Sequence, residues 1–334
     1  EYSTIAAIDL GSNSFRLQVA RVVGDQVYPL DSLKEPVRLG AGLTPDKMLD
    51  EETQQRALAC LRLFSERLRG LPREAVRAVG TNTFRVAKNA ASFLDAAQAA
   101  LGFPIEIIAG REEARLIYIG VAHGLPTSEE KRLVVDIGGG STEFIIGSGY
   151  QPQRMESLYM GCVSFTRRFF PDGKITRDNL QQAELAARSE IQTITADFSA
   201  GRWQQAVGSS GTARALAEIL EQNGLSPSGL TRDGMNGLRE LLLKSGDVKL
   251  LQLSGLPADR VPVLAGGFAI MSSIFSELDI DHMEVATGAL REGVLYDLLG
   301  RFHHRDMRES TVREFMRRYH VDPTQAGRVQ ELAD

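Results

Sequence analysis

Two cysteines in 334 residues, Cys60 and Cys162, are too few and too far apart for a disulfide framework or a zinc site. The five histidines, His123, His282, His303, His304 and His320, show no metal-ligand spacing, and the adjacent His303 and His304 cannot share a helix face. No stretch runs to roughly 18 apolar residues, and no basic-plus-apolar leader or lipidation signal is found. These absences predict a soluble, cytoplasmic protein. The chain opens at Glu1 without an initiator Met, as a trimmed sequence would. Excess positive charge is also lacking: the net charge of −5 argues against a general nucleic-acid binder, so a polyanionic ligand would need a local basic groove.

What the chain does have is 43% apolar content, enough at this length to bury two ordinary cores. It is organised around Leu133 to Ile146, an apolar run, an acid, a glycine turn, hydroxyls, a second acid and another apolar run. That pattern predicts a β-hairpin. Its turn, Gly138, Gly139, Gly140 and Ser141, lets backbone amides approach a phosphate without Cβ clashes. Asp136 and Glu143 flank the turn, and carboxylates beside a phosphate suit Mg²⁺. A plain hairpin would also need glycine, so one such turn says little. The pattern occurs twice, however: Ile8 to Ser14 aligns position for position with Val135 to Ser141. Gly11, Ser12, Asn13 and Ser14 form the matching first turn, and Asp9 matches Asp136. Two such clamps resemble the actin, Hsp70 and sugar-kinase superfold, in which two like domains pinch a phosphate chain.

Elsewhere strands and helices alternate, which is α/β wiring. Thr4 to Leu10, Phe15 to Val23 and Gln26 to Ser32 read as a three-stranded meander. Asp50 or Thr53 caps a helix to Gly70, on whose apolar stripe Cys60 lies. Ala75 to Val79 and Ile105 to Ile108 read as strands, and Asn89 to Ala100 and Glu112 to Val121 as helices. Pro126 to Lys131 is a linker by composition. Beyond the hairpin follow a strand at Gln153 to Tyr159, a helix from Thr176 to Phe198, a strand at Trp203 to Val207 and the small-residue turn Gly208 to Thr212. A helix at Pro262 to Leu278 contains Gly266 and Gly267 as hinge, kink or tight packing. Then come a strand at Met283 to Ala286 and a helix at Gly288 to His303. Ser310 to Tyr319 and Pro323 to Leu332 read as polar helices too poor in apolar surface to form a domain alone. The expected units are therefore 1–125, 126–303 and a helical segment over 304–334.

Glu112 and Glu113 stand in the first turn of a helix, where the dipole already favours acids, but Gly110 and Arg111 make this a strand-to-helix turn at the end of the sheet where α/β folds place ligands. Arg85, in Gly80-Thr81-Asn82-Thr83-Phe84-Arg85, is a fixed cation available to phosphate oxygens, though that stretch also reads as a helix cap.

These stretches, with Met160-Gly161-Cys162-Val163 and Gly288 to Gly293, resemble the exopolyphosphatase and guanosine pentaphosphate phosphohydrolase family. The likeness spans about Ile5 to Arg301. It implies an α/β fold of two duplicated actin-like (ribonuclease H-like) domains with a cleft between them. It further implies Mg²⁺-dependent hydrolysis of a terminal phosphoanhydride, with a monovalent cation such as K⁺ as an additional candidate cofactor. By position, Glu113 matches the general base and Arg85 a phosphate-binding arginine. Asp136, Glu143 and Asp9 match acidic positions around the metal. The two turns match phosphate loops, and Ser210 and Gly211 a further phosphate-binding turn. The complete glycine turn and Gly80 to Thr83 lean towards inorganic polyphosphate as substrate. Guanosine pentaphosphate, or both, is the alternative, and a non-catalytic guanosine tetra- or pentaphosphate sensor a second. Arg16, Arg21, Arg38, Lys88 and Arg111 are candidates for a polyphosphate track, and a homodimer is a further expectation for the full-length protein.

Overall fold

The computed structural model describes residues 3–24, 26–126 and 128–300. The two helices expected after Ser310, and the whole 304–334 segment, lie outside the described residues.

The chain opens with the meander β1 (Thr4–Leu10), β2 (Phe15–Val23) and β3 (Gln26–Glu35). Helix α1 (Glu51–Arg67) starts where the Asp50 side chain accepts from Thr53 N at 2.7 Å, so Asp50 rather than Thr53 is the cap. Next come β4 (Val76–Gly80), the short α2 (Asn82–Val86) and α3 (Ala90–Leu101), which Gly102 ends with a left-handed φ of 81°. Strand β5 (Ile105–Ile107) leads into α4 (Gly110–Gly124). The first sheet has the order β3-β2-β1-β4-β5, antiparallel in its meander and parallel between β1, β4 and β5.

The hairpin is β6 (Arg132–Ile137) and β7 (Thr142–Ser148), extended by β8 (Gln151–Leu158). Helix α5 (Cys162–Phe169) follows. The single helix expected to Phe198 is two, α6 (Arg177–Gln192) and α7 (Thr195–Phe198). The Thr193 and Thr195 hydroxyls donate to the carbonyls of Glu190 and Gln192, competing for the acceptors that would continue the helix. Strand β9 (Gln205–Ser209) begins two residues later than expected, after Trp203, whose indole donates to Phe198 O. Then come α8 (Ser210–Gln222), β10 (Leu230–Thr231), α9 (Arg232–Ser245), α10 (Leu264–Glu277), β11 (His282–Val285) and a last helix, α11, over 290–300. The second sheet runs β10-β11-β9-β6-β7-β8. Gly266 and Gly267 do not kink α10. A Cβ on Gly266 would lie 2.5 Å from Thr166 Oγ1 and one on Gly267 2.7 Å from Thr212 Cγ2, so they are tight-packing positions.

Alternation along β1 sends Ala6, Ile8 and Leu10 into a core with α1 and α3, and Ile5 and Ala7 into a second core. That second core is shared. Helices α4 and α11 fill it with Leu116, Ile117, Val121, Leu290 and Val294, and it also takes Val134 and Ile145 from the second sheet. The two helices cross at glycine distance: a Cβ on Gly120 would lie 2.0 Å from Ala289 O, and one on Gly293 1.7 Å from Leu116 O. Burying such continuous apolar surface at about 25 cal/mol per Å² makes this layer the tie between the sheets. The ends of β1 and β6 meet above it.

Candidate active site

Each hairpin turn is held by its carbonyls. In the turn after β6, Gly138 N donates to Ser141 O at 2.9 Å, and the first amides of α5 donate back: Cys162 N to Gly138 O, and Val163 N and Ser164 N to Gly139 O. In the turn after β1, Gly40 N donates to Ser12 O at 2.7 Å and Arg38 N to Asn13 O at 2.8 Å. Spending carbonyls on the supporting backbone leaves the turn amides other than that of Gly138 for the space between, where an anion finds donors without a Cβ in the way. The turns touch: a Cβ on Gly139 would be 2.8 Å from Ser12 Cβ.

Between them lies a cavity of about 90 Å³ whose lining includes both complete turns, Asp9, Asp136, Glu113, Ser210 and Gly211. Eight loop residues, two of the three expected metal-binding acids, the expected base and the third turn thus come together. Ser210 has a φ of 80°, left-handed for a non-glycine residue. Such strain, of order 1–3 kcal/mol, persists where surrounding structure holds it.

Glu143 pairs with Asp136 across the hairpin and is fully buried behind the cavity rather than on its wall. Ser157 Oγ donates to one of its carboxylate oxygens at 2.8 Å, while the other has no hydrogen-bond partner among the described residues. Arg85 donates to Glu113 at 2.8 Å and to Ile108 O at 2.9 Å, so it engages the carboxylate and stands off the cavity lining. Glu112 turns away to Arg115, with two bonds of 2.8 Å. The 100° helical step between neighbours therefore separates Glu112 from the site and aims Glu113 into it.

Burial dominates the electrostatics. It pushes the Glu113 carboxyl up to about 7 against the pull of Arg85, and Asp9 up to about 6 against the pull of Arg16. Asp136 is raised for the same reason, opposed by a hydrogen bond from Ser209. Glu143 stands well above the usual carboxylate range through burial, then through Glu113 and Asp136 nearby. On the basic side, burial and then Arg291 bring Arg16 down to about 10.

Sequence reasoning missed Arg260. It is 8% exposed, lines the cavity, and lies so close to Gly211 that a Cβ there would be 1.9 Å from its Nη2. It sits in the unread stretch between α9 and α10, and nothing in its neighbours marked it. Thr81 and Asn82 also line the cavity. Of the five candidate track cations Arg16 alone does; Arg21, Arg38 and Lys88 are exposed and Arg111 pairs with Glu156 at 2.7 Å.

Among the described residues no three His, Cys, Asp or Glu side chains converge as a metal cage. Two carboxylates at the ends of the central strands, half-buried Asp9 and buried Asp136, are nevertheless a hard-oxygen set that fits Mg²⁺, which takes one or two protein carboxylates and completes its shell with water and phosphate oxygens. No helix among the described residues is long and apolar enough to cross a membrane.

The model of the Ppx/GppA phosphatase family matches residues 18–302. Among solved structures, an exopolyphosphatase from Cytophaga hutchinsonii ATCC 33406 is 28% identical with a TM-score of 0.80, over 89% of this chain and 98% of that one. An exopolyphosphatase-like protein is 25% identical with a TM-score of 0.79, over 88% and 97%. An Aquifex aeolicus member of the Ppx/GppA family is 26% identical with a TM-score of 0.71, over 90% and 99%.

Proposed function

The chain belongs to the Ppx/GppA phosphatase family, and from that premise we propose that it is an exopolyphosphatase, releasing the terminal phosphate of inorganic polyphosphate. The observation that carries this reading is Glu113: a buried carboxylate on the wall of a two-loop cavity, oriented by Arg85 at 2.8 Å. Guanosine pentaphosphate presents the same terminal phosphoanhydride and is the alternative substrate, alone or beside polyphosphate.

In this reading the turn amides of Gly11 to Ser14 and Gly139 to Ser141 hold the terminal phosphoryl, Gly138 closing its turn onto Ser141 O, with Ser210 and Gly211 lining the path beside them. Arg16 and Arg260 meet the charge of the chain. Glu113 orients a water in line and takes its proton. The water oxygen bonds to phosphorus, the bond to the bridging oxygen breaks, and the shortened chain leaves with that electron pair. Arg85 fixes the carboxylate rather than contacting phosphate directly. Glu143, behind Glu113, serves as a buried neighbour of the base and of Asp136. Asp9 and Asp136 would hold Mg²⁺, which when bound neutralises phosphate charge. The shared strand order, β3-β2-β1-β4-β5 and β8-β7-β6-β9-β11, supports two like halves, 1–125 and 126–303, closing on the chain.

The test is phosphate release with Mg²⁺ and no acceptor, comparing long polyphosphate, guanosine pentaphosphate and ATP. Glu113→Gln should bind polyphosphate and lose about 10²- to 10⁴-fold in turnover. Near-normal turnover in that variant would remove Glu113 from the mechanism, and a higher kcat/KM for guanosine pentaphosphate would reverse the substrate order. Binding without release by the wild type would favour the sensor.

A further inference from the structure

Asn82 is the first residue of α2 and lines the cavity while remaining only 6% exposed. Its side-chain nitrogen is shut off from solvent and has no acceptor among the described residues. A buried amide N–H₂ without an acceptor is a standing loss, because its desolvation is not offset by any bond. Opposite it is Gly140, the third glycine of the second turn. A Cβ there would lie 2.2 Å from Asn82 Oδ1 and 2.9 Å from Asn82 Cγ. Gly140 does not have a left-handed φ, so its backbone conformation does not require glycine; the Asn82 side chain does.

Two stretches read separately in the sequence, Gly80 to Thr83 and the complete glycine turn, are therefore one contact across the cleft. Resting on the phosphate-chain reading above, we propose that Asn82 is a substrate-binding residue: its amide donates to a non-bridging oxygen of the phosphoryl chain between the turns, and Gly140 is glycine to admit it. Phosphate oxygens are the acceptors this site lacks, and a neutral donor placed among arginines selects an oxygen by position rather than by charge. The pair is then a single determinant of which phosphate chains the cleft accepts.

The experiment is calorimetric binding of tripolyphosphate with Mg²⁺ to the wild type, Asn82→Ala, Asn82→Asp, Gly140→Ala and the double variant Asn82→Ala/Gly140→Ala, each checked for an unchanged thermal midpoint. Asn82→Ala should weaken binding about tenfold, equivalent to about 1.4 kcal/mol. Asn82→Asp should weaken it further, since a carboxylate would face the anion. Gly140→Ala should lose at least as much as Asn82→Ala, and the double variant no more than Asn82→Ala, because the new methyl then has room. The idea is overturned by wild-type affinity in Asn82→Ala, by single-variant losses that multiply in the double, or by a wild type that does not bind tripolyphosphate. If Gly140→Ala does not fold, the two Asn82 variants decide. Phosphate release from polyphosphate by the wild type is measured alongside: its absence counts against the exopolyphosphatase reading, while the binding series still judges Asn82.

Discussion

As the proposed base, Glu113 would carry its chemistry through its protonation state. With burial holding the carboxyl at about 7, the proposed base would form only as pH rises through neutrality, so kcat/KM should climb between about pH 6 and pH 8. Replacing Arg85 by Ala removes a group that lowers that value, so the acid limb should move to higher pH as well as fall in height; a limb that stays in place would separate Arg85 from Glu113. Stability runs the other way. A carboxyl raised on folding binds its proton more tightly in the native state, so its contribution is full below its unfolded value and is lost as pH rises through about 7. The stability difference between wild type and Glu113→Gln, followed by urea denaturation in the absence of ligand, should therefore shrink or reverse between pH 5 and pH 8. Sequence could place Glu113 beside a ligand only by position in a motif. Its burial and its bond to Arg85 depend on residues 28 apart in sequence, and no local pattern encodes them.

At the scale of elements, α4 is the piece whose placement decides whether Glu113 reaches the cavity. Its rotation is fixed by the glycine crossing with α11 and by an ion network. Arg77, on β4 and 4% exposed, donates to Asp297 at 2.7 Å, and Arg115 donates to both Glu112 and Asp297, at 2.8 and 2.5 Å. Gly120→Ala pushes a methyl into Ala289 O and should cost about 1–3 kcal/mol in urea denaturation, with a larger proportional loss of turnover than of substrate affinity. Asp297→Ala leaves Arg77 with Glu106 and Glu112 but unlocks α11, and about 3 kcal/mol is expected from breaking so buried a pair. Most elements were legible because apolar periodicity and caps mark them, as with Asp50 before α1. Helix α9 was not read although Thr231 caps it, and the break between α6 and α7 was invisible because two threonine hydroxyls make it. Neither the α4–α11 crossing nor the seat of Arg260 against Gly211 has any periodic signature; both are contacts between distant glycines and their neighbours.

For the whole molecule the question is what holds the two loops together. Arg167, near the end of α5, donates to Gly40 O at 2.9 Å and to Leu43 O at 2.8 Å across the cleft. The same helix supports the second loop through its first amides, while Gly40 N supports the first loop through Ser12 O. Loop, helix, guanidinium, turn and opposite loop thus form one continuous chain of hydrogen bonds. Lys34 and Asp259 add a half-exposed ion pair at 2.5 Å, which solvent screening leaves worth little. If the two halves close on the phosphate chain as proposed, Arg167→Ala removes the stronger tie without touching the cavity, so the closed arrangement should become a smaller fraction of the population and apparent affinity fall by that fraction. Losing two such bonds, about 1 kcal/mol net, should raise KM for polyphosphate roughly fivefold with a smaller change in kcat. Small-angle scattering should show a larger radius of gyration for the ligand-free variant, restored by tripolyphosphate. Arg167→Lys keeps the charge but cannot reach two carbonyls with a planar fork, so it should behave like the alanine variant. Unchanged KM and scattering with a lowered thermal midpoint would mean that Arg167 stabilises the fold and leaves the cleft to close on its own.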